Sequence, residues 1–144
     1  MAGAMIVPGF EYFDHDADVG IRVHAGSFEE LLSTAARALV SWIGPEPGRP
    51  EGAACDVFVE AEDHAGLLVR WLQEVLYRFQ VDRFYFTGTT SLTVEGCCLR
   101  ARLFGRTWGE WDAGSYQEVK AVTYHQLEVR QACDVWQATF ILDL

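Results

Sequence analysis

Two stretches of the chain carry a helical stripe of apolar residues. Phe28, Leu31, Leu32, Ala35, Ala36, Leu39, Val40 and Ile43 recur at three- and four-residue steps, a spacing that puts all of them on one helix face. Ser27 precedes the stripe with Glu30 three residues on, the pattern of a capping box, and Gly44 ends it. Behind Asp63, a candidate N-cap, Leu67, Leu68, Trp71, Leu72, Val75, Leu76 and Phe79 form a second stripe. Stripes this regular are core, which assigns Trp71 to the interior rather than to a cofactor site.

Elsewhere the period shortens to two. Residues 20–25 alternate apolar and polar side chains and predict a strand, as do 55–60, 83–87, 92–104, 119–129 and 135–142. Residues 44–52 hold three of the four prolines and read as a loop inside one domain. The stretch 105–118 is long for a plain connection, and its Trp108 and Trp111 read as exposed and suited to an interface. Two early helices and a late cluster of strands predict an α+β fold. The two helices pack on one face of a mostly antiparallel or mixed sheet, in a single two-layer domain spanning residues 1–144.

Composition narrows the functional classes. The formal net charge is −10, with 21 acids against 11 Lys and Arg. A nucleic-acid binder presents a basic face for counterion release, so no direct nucleic-acid binding is expected, and a basic protein or a cation suits this chain better. Neither a long apolar run nor a signal-peptide pattern is present, which predicts a cytoplasmic protein with no membrane partner. Cys55, Cys97, Cys98 and Cys133 contain no Cys-x-x-Cys pair and read as small buried or half-buried fillers. His15, His24, His64 and His125 are scattered without zinc-ligand spacing.

The charges at the two chain ends are harder to place. Asp14, Asp16 and Asp18 alternate, so in an extended segment all three carboxylates fall on one side. A calcium-hand loop is excluded, since Val19 rather than Gly follows the third acid and Ala25 occupies the position that needs Glu. Water, a basic partner or a hard divalent cation can each relieve the repulsion. At the other end, Asp143 stands beside the carboxylate of Leu144, at the close of a strand whose Ala138, Phe140 and Leu142 share one face and Thr139, Ile141 and Asp143 the other. A cation could tie that end down; a solvated terminus is the plain alternative. Lys120, in an alternating strand, is unremarkable by position. There is no Ser-His-Asp or Cys-His spacing and no phosphate loop, so no self-contained catalytic apparatus is evident.

Taken together, Phe13-Asp14-His15-Asp16-Ala17-Asp18-Val19-Gly20-Ile21 and Glu118-Val119-Lys120-Ala121-Val122-Thr123-Tyr124-His125 resemble the archease family. The capped helix at Ser27-Phe28-Glu29-Glu30-Leu31, the helix around Leu68-Val69-Arg70-Trp71-Leu72 and the ending Ile141-Leu142-Asp143-Leu144 fit as well. The resemblance implies a protein cofactor of the RtcB-type tRNA-splicing RNA ligase, which promotes ligase guanylylation and multiple turnover and is not itself an enzyme. It further implies a divalent-cation site at Asp18, Asp143 and Leu144, with calcium foremost and magnesium or manganese as alternatives, and an activating role for Lys120. Asp16 departs from the Thr that the family often has, adding a carboxylate near that site, and Leu144 replaces the common terminal Ile. Two other classes stay open: a stand-alone metal-dependent phosphoester hydrolase with Asp16 or Asp18 as base, and a chaperone-like interaction module.

Overall fold

The computed structural model describes residues 6–109 and 113–144. Its elements run β1 (Gly9–His15), β2 (Asp18–Ala25), α1 (Phe28–Ile43), β3 (Ala53–Glu60), α2 (His64–Val81), β4 (Phe84–Glu95), β5 (Cys98–Thr107), β6 (Ala121–Ala132) and β7 (Val135–Asp143), with a 3-10 turn at Ala113–Ser115. The strands form two antiparallel sheets, a four-stranded one in the order β1-β2-β7-β6 and a three-stranded one in the order β3-β5-β4. Both helices pack on each other and on both sheets. The fold is α+β, as the alternation of helical and strand periods predicts.

The caps are those the helix signals predict. Ser27 Oγ accepts from the Glu30 amide, and Glu30 Oε1 reaches back to accept from the Gly26 amide, so two orphan donors of the first turn are met. Asp63 accepts from the Gly66 amide at the start of α2. Every residue of the α1 stripe is buried, and in the α2 stripe only Phe79 keeps partial exposure. Trp71 joins the helices directly, its indole N–H donating to the Leu32 carbonyl at 2.8 Å. Tyr85, buried among Phe79 and Tyr116, donates to the carbonyls of Val40 and Pro45, and burial pushes its phenol well above the ordinary value.

Four readings of the sequence need correction. The run 92–104 is not one strand: a turn at Gly96 and Cys97 divides it between β4 and β5, and Gly96 takes a φ of 60° that favours glycine. Residues 9–15, of which only Asp14 and His15 fall in the stretch read as an extended segment, form strand β1 paired along its whole length with β2. Trp108 is not an exposed interface residue. It stacks on Phe79 at 5.0 Å, donates from Nε1 to the Phe79 carbonyl, and lies beneath the Arg83 guanidinium. Trp111 lies outside the described residues. Among the cysteines, Cys133 is exposed rather than half-buried.

Candidate functional site

The four-stranded sheet sets β2 beside β7, strands separated by most of the sequence. In β2, Val19, Ile21 and Val23 point into the core, which turns Asp18, Gly20 and Arg22 to the opposite, outer face. In β7, Phe140 and Leu142 are fully buried in the same core, which turns Asp143 outward. The two strands pair with Val19 opposite Leu142, and that register carried one residue further sets Asp18 opposite Asp143. Residues at the two ends of the sequence therefore face each other on one surface. Lys120, exposed just before β6, is tied to the same place through its backbone N–H, which donates to the Asp143 carbonyl at 2.8 Å.

The three alternating carboxylates do not share a side, contrary to the extended-segment reading. A hairpin bend at Asp16 and Ala17 separates them: Asp14 lies opposite Val19 and Asp18 lies opposite His15. Asp16 occupies the bend with a φ of 52°, a left-handed conformation that Asp tolerates better than most residues, and its side chain is exposed. Of the three, Asp18 alone belongs to the group formed with Asp143.

Histidines that the sequence leaves scattered converge here. His15 faces Asp18 across the hairpin, with Nδ1 at 3.9 Å from Oδ2. That Nδ1 is buried and makes no hydrogen bond. The His125 ring meets the His15 ring edge-on, with centroids 5.3 Å apart. It reaches there because β6 bulges: pairing with β7 jumps from Thr123 opposite Ile141 to Glu128 opposite Thr139, with Gln126 at a φ of 53°. The same bulge leaves Tyr124 59% exposed. The sequence signal for His15 was its place three residues before Asp18. Spacing alone does not reveal the pair, because Asp16-Ala17 is not a recognised hairpin dipeptide.

Gly20 is required by space. A Cβ built on it would lie 2.1–2.5 Å from atoms of the Phe13 ring, which covers it from β1, and Arg22 stacks on that ring at 4.1 Å. Gly20→Ala must therefore displace Phe13, and we expect it to cost about 1–3 kcal/mol in urea unfolding. A variant as stable as the parent would show that Phe13 moves freely.

Among the described residues, no three His, Cys, Asp or Glu side chains gather closely enough to hold a metal ion. The side chains at this sheet end supply two carboxylates, those of Asp18 and Asp143. Further along the outer face, Arg22 pairs with Glu11 and Arg130 with Glu128, so those cations are neutralised locally. Among the described residues, no helix is long and apolar enough to cross a membrane.

The model of the Archease protein family matches residues 10–144. Protein archease of Methanosarcina barkeri is 31% identical, with 94% of this chain and 95% of that protein covered. Protein archease of Pyrobaculum neutrophilum is 32% identical over the same shares. The solution structure of protein 1598 from Methanobacterium thermoautotrophicum superposes with a TM-score of 0.77 at 30% identity, covering 94% of this chain and 99% of that one. The crystal structure of an archease from Thermotoga maritima, described as a possible chaperone, superposes at 0.64 with 20% identity, covering 92% and 94%.

Proposed function

The chain belongs to the archease family, and from that premise we propose that it activates an RtcB-type tRNA-splicing RNA ligase, promoting guanylylation and multiple turnover without itself catalysing ligation. The observation that carries this reading is the juxtaposition at one sheet end of Asp18, Asp143 and Lys120, the first separated from the other two by most of the sequence. The family resemblance names the same residues for cation binding and activation.

The donor set fits a hard divalent ion. Asp18, Asp143 and the Leu144 carboxylate offer oxygen only, the donors that calcium, magnesium and manganese accept. His15 Nδ1, buried and unbonded beside Asp18, marks the place as one whose polar groups are not yet satisfied within the chain. A bound cation would supply positive charge to phosphate oxygens of the ligase–nucleotide intermediate, the usual service of a metal in phosphoryl transfer. The protein's own share is to hold Asp18 and Asp143 on adjacent rigid strands and to present Lys120 from a backbone anchored to Asp143. The chain's charge of −10 favours encounter with a basic, RNA-handling partner.

Multiple-turnover ligation by limiting ligase, with GTP and divalent metal, tests the proposal. This protein should raise the rate; a competent ligase that gains nothing from it would overturn the reading. Lys120→Ala should fold and retain cation binding, because the lysine side chain is exposed and its backbone bond to Asp143 survives. It should nevertheless lose most of the rate increase. Full stimulation by that variant removes Lys120 from the mechanism. Phosphoester turnover by the purified protein alone, lost in Asp18→Asn, would favour a hydrolase instead. The Thermotoga likeness, at 20% identity, supports the fold and gives no support to a chaperone role.

A further inference from the structure

We propose that His15 is the positioning residue of the cation site, holding Asp18 through an Nδ1–H hydrogen bond to Oδ2 so that the other carboxylate oxygen is presented to the ion. The inference rests on the cation reading above. Its grounds are the local geometry.

His15 and Asp18 are facing partners in the last pair of the β1–β2 hairpin, so their side chains rise from the same face. The Nδ1 of His15 is buried without a hydrogen bond, an uncommon and costly state for a ring nitrogen. A carboxylate oxygen that can relieve it stands 3.9 Å away, beyond hydrogen-bond length yet within the reach of a carboxylate rotation. That rotation leaves one oxygen accepting from His15 and frees the other for the ion. Ligating carboxylates are commonly oriented this way by outer partners, which also fix the donor's tautomer. His125 supplies the remaining restraint, its ring closing edge-on against His15 from the β6 bulge. His125, distant in sequence, thus restrains the His15 ring, and that ring faces Asp18.

Calcium titration calorimetry on the full chain tests this, with His15→Ala, His15→Asn and His15→Gln compared with the parent. The Asn amide nitrogen falls near the position of Nδ1, whereas that of Gln falls near Nε2. His15→Ala and His15→Gln should bind calcium about 10–100-fold more weakly, the usual loss for an outer partner of a metal ligand. His15→Asn should stay close to the parent. In the parent, calcium should move the His15 Nδ1 resonance towards that of a protonated, hydrogen-bonded nitrogen in 15N-resolved imidazole spectra. Unchanged affinity in the Ala or Gln variant, equal weakening in the Asn variant, or an Nδ1 signal indifferent to calcium would each overturn the inference. A parent chain that binds no calcium, or an Asp143→Ala chain that binds it undiminished, overturns the cation reading itself. Parent binding that is lost in Asp143→Ala but unaffected by every His15 variant defeats the positioning role alone.

Discussion

An Asp143→Ala variant is expected to fold as the parent does, to lose calcium binding and to leave the ligase at its unaided rate. Folding should survive because the side chain sits at the end of β7 on the outer face, while the core contacts of that strand come from Ala138, Phe140 and Leu142. The backbone bond from Lys120 to the Asp143 carbonyl needs no side chain and should hold the strand end in place. Removing a proposed direct ligand should weaken calcium binding by more than the roughly 10–100-fold attached to outer partners. The loss has a thermal signature as well. Calcium at a hundred times its dissociation constant should stabilise the parent by about 2.7 kcal/mol, and the variant should show no such shift. Asp14→Ala and Asp16→Asn are the controls, because both side chains are exposed and Asp14 lies opposite Val19 rather than in the Asp18–Asp143 pair. If those controls lower activation as much as Asp143→Ala, diffuse negative charge rather than a built site is at work. Full activation by Asp143→Ala sinks the site outright.

What the sequence could show of this arrangement divides along a physical line. Helix stripes and caps are local: Ser27, Glu30 and Asp63 act within one turn, so their spacing is enough to place α1 and α2. Strand alternation is local too, and it turns Phe140 and Leu142 one way and Asp143 the other before any partner is known. Register is not local. That Asp18 faces Asp143 depends on β2 pairing with β7 across nearly the whole chain, so family likeness rather than periodicity is what associates these residues in the sequence. The β6 bulge was illegible for a related reason. It shows only against the uninterrupted β7, and without it nothing brings His125 to His15. The hairpin at Asp16-Ala17 is not legible locally because its turn residues lack the usual Asn-Gly or Asp-Gly pair, and alternation across the bend imitates one extended strand.

The largest effect on stability should come from Trp71→Ala. Trp71 is fully buried on α2, its ring meets Phe86 edge-on from β4, and its indole N–H spans to the Leu32 carbonyl of α1. One side chain thus joins both helices and the three-stranded sheet. Truncating a buried Trp to Ala costs about 3–5 kcal/mol through lost burial and the cavity left behind. The lost hydrogen bond adds about 0.5–1.5 kcal/mol. Against a typical domain stability of about 5–15 kcal/mol, that leaves little margin. Trp71→Phe separates the two contributions, since it keeps an aromatic ring and removes the donor; its urea midpoint should fall between those of the parent and the Ala variant. The denaturant slope should hold for both, because the surface exposed on unfolding hardly changes. Calcium affinity of the folded Trp71→Phe protein should match the parent, because the ion's proposed ligands lie on the outer face of the other sheet. A Trp71→Ala protein within about 1 kcal/mol of the parent would mean that the core closes over the void, and that the helix pair does not depend on this one ring.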